Sequence, residues 1–113
     1  MRLFIVVGLL ILPLLSLNGF VFTEDYKQSI KPKGGYGGVG GSVIKPFGLS
    51  NVRKFHELLP NIPLIGCGGI TCGRDVYEYL LCGATLVQVG TQLIKEGPAV
   101  FKRLNDELNQ ILI

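Results

Sequence analysis

One short grammar occurs twice in succession in the second half of this sequence, and it limits the available folds more than any other feature. Asn61-Ile62-Pro63-Leu64-Ile65-Gly66 is a short apolar run, broken by Cys67-Gly68-Gly69 and followed by a helical pattern. Thr85-Leu86-Val87-Gln88-Val89 is a second such run, broken by the tight turn Gly90-Thr91 and followed by a short helical turn, Gln92 to Lys95. Apolar runs of this length bounded by Gly and Pro read as strands. Strands that alternate with helices pair in parallel through right-handed crossovers, so the chain is expected to be α/β.

The helices carry their own punctuation. After Pro46, Ser50 can cap a helix on which Val52, Phe55 and Leu59 share a face and which Pro60 ends. Thr71 or Cys72 caps the next, with Val76, Tyr77, Leu80 and Leu81 inward and Gly83 at its end. Pro98 opens the last, where Val100, Phe101, Leu104, Leu108, Ile111 and Leu112 form one stripe. Lys102 with Asp106 and Arg103 with Glu107 stand as i, i+4 pairs on its outer face. A strand, a Gly turn, a short extra helix and a long helix is the ending of the eighth unit of a TIM (β/α)8 barrel. The turns after strands 7 and 8 of that fold often hold phosphate.

With 113 residues there is room for one domain at most. A hydrophobic share of 48% against 17% charged excludes a disordered chain, and a net charge of +3 is too small for a dedicated nucleic-acid binder. Three cysteines, Cys67, Cys72 and Cys82, are odd in number and fit no zinc spacing; they read as reduced thiols of a cytosol-like compartment. Residues 1–17 form an apolar N-terminal segment, with Leu3 to Leu17 almost unbroken. It reads equally as a signal or membrane anchor, a buried strand of a larger fold, or an artefact of the start of the reading frame. The barrel-like region is then 18–113.

From Lys27 to Lys45 there is no helical period, and six glycines fall between Gly34 and Gly41. This reads as an anchored loop whose backbone can approach a ligand closely. Gly68-Gly69 and Gly90-Thr91 should lie side by side at the carboxyl ends of neighbouring parallel strands. Their N–H groups, the start of the short helix and the Thr91 hydroxyl would make a phosphate cradle, with Gly41 completing it; the alternative is that these glycines only shape turns. Gly35, Gly37 and Gly40 satisfy G-x-G-x-x-G, but the dinucleotide reading fails because no apolar strand enters the motif and no helix opens from it. His56 reads as a lone surface histidine and Cys67 as a small apolar filler, not a nucleophile. Lys31, Lys33 and Lys45 flank the glycine loop and can add positive field to an anionic site, although a solvated face is the default for them.

Several segments, in order and spacing, resemble the C-terminal part of dihydroorotate dehydrogenases. They are Lys31-Pro32-Lys33-Gly34-Gly35-Tyr36-Gly37-Gly38-Val39-Gly40-Gly41, Lys45-Pro46, Leu49-Ser50-Asn51-Val52, Gly66-Cys67-Gly68-Gly69-Ile70, Leu81-Cys82-Gly83-Ala84-Thr85, Gln88-Val89-Gly90-Thr91 and Lys95-Glu96-Gly97-Pro98-Ala99-Val100-Phe101. The likeness runs from about Asn18-Gly19 to the end and is nearest to the cytosolic class 1A enzymes that use fumarate. It implies an FMN-containing TIM barrel that oxidises dihydroorotate to orotate in pyrimidine synthesis, in the cytoplasm and as a homodimer. Gly41, Gly68, Gly69, Gly90 and Thr91 match the family's FMN-phosphate contacts. The family's catalytic loop Cys and flavin-holding Lys have no counterpart here, so no catalytic residue is assigned. Its Asn-Ser pair for the orotate ring should precede Asn18, where Leu14-Leu15-Ser16-Leu17 stands instead. A TIM barrel takes about 250 residues, so the expectation is a truncated barrel containing about strands 6–8. Two alternatives are a membrane-associated, quinone-using enzyme, which the fumarate-type glycine loop disfavours, and a non-catalytic half-barrel remnant that binds FMN or a partner chain.

Overall fold

The computed structural model describes residues 17–19, 22–29 and 37–113. The apolar run before Leu17, and Lys31 and Lys33, lie outside them. Both expected strand-turn-helix units form. β3 (Ile65–Cys67) leads through Gly68-Gly69 to α2 (Gly73–Leu81), and β4 (Leu86–Gln88) leads through Gly90 to α3 (Thr91–Glu96) and α4 (Ala99–Leu112). The two strands pair in parallel, with Ile65 opposite Leu86, Gly66 opposite Val87 and Cys67 opposite Gln88. Both carboxyl ends therefore emerge at the same level, which is what brings the two glycine turns together.

The core lies where α2 and α4 pack on each other and on this sheet. Tyr79, Leu104, Leu108, Val76, Val87 and Val100 are its fully buried side chains. Each contributes on the order of 1.5–3 kcal/mol through burial. Pro98 is the N-cap residue of α4, where its missing N–H costs nothing. Gly83 follows α2 with φ of 109°, the left-handed stop in which a Cβ is strained.

Five expectations need correction. The stretch from Lys27 to Lys45 is not all loop, because β2 (Gly37–Val39) pairs antiparallel with β1 (Leu17–Gly19) and a 3-10 turn covers Ser42–Ile44. The first helix, α1 (Lys45–Leu58), begins at Lys45 and not at Ser50. Pro46 sits in its first turn, where the fixed φ suits a helix, so the proline opens the helix instead of preceding it. On α1 only Val52 is buried, while Phe55 and, just past the helix end, Leu59 are exposed. On α2 the inward stripe is Gly73, Asp75, Val76 and Tyr79, and Leu81 is exposed; Gly73 meets α4 and Tyr79 meets Gly66 of β3, which turns the helix away from the expected face. Near the end of α4, Ile111 and Leu112 leave the buried stripe and are exposed.

Candidate functional site

At the carboxyl ends of β3 and β4 the chain encloses a cavity of about 190 Å³. Gly41, Gly68, Gly69, Gly90 and Thr91, the five residues expected to hold phosphate, all line it. Gly40, Ser42, Thr71, Gln88, Gln92 and Lys95 line it as well. The sequence pattern gave no sign of Ser42, Gln88 or Lys95, because each belongs to a different element and only the tertiary fold joins them.

Backbone conformation explains two of the glycines. Gly69 has φ of 70°, and a Cβ there would lie 2.7 Å from Lys45 Cβ and 2.9 Å from Lys45 N. The loop after β3 thus presses against the start of α1, which only glycine permits. Gly90 is different, with an ordinary φ of −115° and nothing within 4 Å of an added Cβ. A side chain there would project into open space at the cavity, so the fold itself does not require glycine at this position.

The cavity walls suit an anion. Lys95 is exposed at the cavity and makes no ion pair with any described residue, and the described lining holds no carboxylate or imidazole. Gln88 Nε2 is buried without an acceptor, an unmet donor in the wall. Lys45, expected to lend positive field, is instead committed to Asp75 at 2.7 Å and Glu78 at 2.9 Å. These two carboxylates, Asp75 foremost, raise its pKa. Cys67 is not the expected filler, because it is an exposed residue of the cavity lining. Desolvation of its sulfur raises the thiol pKa, which keeps it protonated and a poor nucleophile. His56 is exposed on α1, away from the cavity lining. A helical turn does open at Ser42 behind Gly35, Gly37 and Gly40, contrary to one ground for rejecting the dinucleotide motif. The other ground, that no apolar strand enters the motif, concerns the residues immediately before Gly35, which lie outside the described residues.

Two polar networks hold the cavity's lips, one around the buried Asp75 and one around the partly exposed Arg103. Asp75 accepts from Thr71 N–H at 2.8 Å, Thr71 Oγ1 at 2.9 Å and Cys72 N–H at 3.3 Å, as well as from Lys45. Burial pushes its carboxyl pKa up, but Lys45 and the Thr71 donors prevail and hold it at about 2. Arg103, expected only in an outer-face pair with Glu107, grips Glu96 in bidentate fashion at 2.6 and 2.7 Å and Thr71 O at 2.9 Å. Its hold on Glu96 keeps that carboxyl at about 2. Glu107 in turn accepts the Gly73 N–H at 2.6 Å. The turn after β3 and the helix after β4 are thereby tied to one residue of α4.

The family model described as dihydroorotate dehydrogenase matches residues 13–112 of this sequence. The chain belongs to the dihydroorotate dehydrogenase family. The match begins at residue 13, about five residues before the Asn18-Gly19 from which the resemblance in the sequence runs. Among curated relatives, the probable dihydroorotate dehydrogenase A (fumarate) of Enterococcus faecalis is 60% identical over 97 residues, which are 84% of this chain and 31% of that protein. The dihydroorotate dehydrogenase A (fumarate) of Lactococcus lactis subsp. lactis is 54% identical over 97 residues, with the same coverage of 84% and 31%. The chain therefore spans about a third of the length of these relatives. Among solved structures, DHODH from Eimeria tenella in complex with ferulenol superposes with a TM-score of 0.68 at 29% identity, covering 87% of this chain and 26% of that one. Dihydroorotate dehydrogenase kinship and the α/β fold thus agree.

Proposed function

We infer that this dihydroorotate dehydrogenase chain forms the phosphate-holding end of an FMN site, in a protein that oxidises dihydroorotate to orotate with fumarate as the final electron acceptor. Its strand-helix units then correspond to about strands 6–8 of a (β/α)8 barrel. The observation that carries this reading is the meeting of two glycine turns from adjacent parallel strands in one cavity whose described lining includes Lys95 and no acid. At about 190 Å³ the cavity is below the roughly 300–1,000 Å³ of whole-ligand pockets. That size suits a phosphate and the adjoining part of a chain, not an isoalloxazine ring.

When bound, FMN supplies the two-electron acceptor for the substrate. The residues of this chain hold its anionic end. Backbone N–H groups at Gly69 and Gly90 offer donors that no side chain obstructs, and Thr91 Oγ1 adds another. A Cβ at residue 40 would lie 3.0 Å from Thr91 Oγ1 and so would crowd that hydroxyl. Lys95 supplies the positive charge.

Gly90→Asp tests this reading with little disturbance of the fold, since φ is ordinary and the space is open. Gly69→Asp would serve badly, as it would drive a side chain into the Lys45 backbone. With a carboxylate facing the phosphate, FMN affinity is expected to fall about 30-fold, measured by flavin fluorescence titration, with the circular dichroism spectrum unchanged. An FMN affinity equal to that of the unmodified chain would rule out the cavity as the phosphate site.

A further inference from the structure

We propose that the buried hydroxyl of Tyr79 is the positioning group that aims the Gly69 N–H into the phosphate cavity. The proposal rests on the phosphate reading given above and adds a residue outside the cavity lining. Tyr79 is fully buried, and its Oη donates between two successive carbonyls, at 2.7 Å to Gly68 O and 3.2 Å to Cys67 O. In a trans peptide the C=O and the following N–H point in opposite directions, and no described peptide is cis. Holding the Gly68 carbonyl toward Tyr79 therefore turns the Gly69 N–H away from Tyr79. Gly68 and Gly69 line the cavity and Tyr79 does not, so that direction is the cavity side.

Two glycines make room for the hydroxyl to reach this position. A Cβ at Gly48 of α1 would overlap Tyr79 Oη, and a Cβ at Gly66 would overlap the Tyr79 ring. Three elements, α1, β3 and α2, are shaped around one phenol. Its pKa is raised, chiefly by burial, so the hydroxyl keeps its proton and remains a donor across the physiological range. Without that donor no described hydrogen bond fixes the plane of the peptide joining Gly68, with φ of 127°, to Gly69, with φ of 70°, and glycine tolerates the flipped orientation.

The experiment compares the full chain with Tyr79→Phe, which keeps the ring and removes only the hydroxyl. Each is titrated with FMN and with riboflavin, which lacks the phosphate. The ratio of the two affinities isolates the phosphate contribution and is independent of how much of the variant is folded, since both ligands see the same folded fraction. Tyr79→Phe is expected to reduce the FMN-to-riboflavin preference about tenfold and to leave riboflavin affinity otherwise unchanged. As a second readout, inorganic phosphate should shift the Gly69 amide resonance in the unmodified chain and not in the variant. If Tyr79→Phe retains both the preference and the Gly69 shift, Tyr79 is merely a core residue and the proposal fails, while the phosphate reading stands. If the unmodified chain binds FMN no better than riboflavin, the phosphate reading fails and takes this proposal with it.

Discussion

Asp75→Ala is expected to lower the unfolding free energy by about 3 kcal/mol, a fall of about 15 °C in Tm for a chain of this size. Asp75 is 6% exposed and is the one buried charged residue in the described core. Its carboxylate serves four donors, Lys45 Nζ, Thr71 N–H, Thr71 Oγ1 and Cys72 N–H. The desolvation of such a charge offsets most of its Coulombic attraction, so the intact cluster adds little compared with an apolar filler. Removing one member is another matter, because the amides of Thr71 and Cys72 then stay buried without an acceptor. Glu78 also pairs with Lys45 but is 27% exposed, and Glu78→Ala should cost less than about 1 kcal/mol. Urea unfolding of the two variants gives the comparison; equal losses would show that burial does not distinguish the two carboxylates.

The same carboxylate sets an acid limit. Its pKa falls from 3.8 to about 2 on folding, so its contribution is complete above pH 3.8 and disappears as pH drops through about 2. That shift corresponds to on the order of 2 kcal/mol. Asp75→Asn should therefore show a flatter stability profile than the unmodified chain between pH 4 and pH 2.

Asp75 also shows why part of the structure was legible in advance and part was not. Thr71 and Cys72 announced a helix start, and an acidic residue three positions after Cys72 is the other half of a capping signal. That half went unread because Asp is more often solvated than buried. The parallel strands, both glycine turns and four of the cavity residues, Gly68, Gly69, Gly90 and Thr91, followed from local pattern, since each turn interrupts an apolar run at the same point of a repeated unit; Gly41 came from the glycine-rich loop and the family resemblance. Tyr79 did not, because Val76 is compatible with a stripe through either Leu80 or Tyr79, and only the slot left by Gly48 and Gly66 selects the tyrosine. Lys45 and Lys95 are alike as residues, and the carboxylates that neutralise the first come from α2, about 30 residues away. The β1–β2 pair was hidden because Gly37–Val39 carries almost no strand propensity of its own.

Gly73→Ala should be the second severe substitution, costing about 3 kcal/mol even though alanine favours a helix by about 1 kcal/mol over glycine. Residue 73 is the point where α2 meets α4. A Cβ there would lie 2.6 Å from Leu108 N and 2.8 Å from Glu107 C. Both are backbone atoms, so no rotamer change can relieve the overlap and the helices must separate. Separation stretches the 2.6 Å bond from Gly73 N–H to Glu107, a charge-assisted bond worth about 1.5–3 kcal/mol. Leu104 and Leu108, fully buried beside it, lose packing at the same time. Gly90→Ala is the matched control, since its Cβ would meet nothing within 4 Å, and it should change stability by less than about 0.5 kcal/mol. Urea denaturation of both variants decides the matter, and a Gly73→Ala chain as stable as Gly90→Ala would show that α2 and α4 do not approach this closely. Because Glu107 shares Arg103 with Glu96 and with the Thr71 carbonyl, displacing α4 also loosens both lips of the cavity. Gly73→Ala is thus expected to weaken FMN binding from outside the cavity, and Gly90→Ala to weaken it from within while leaving the fold intact.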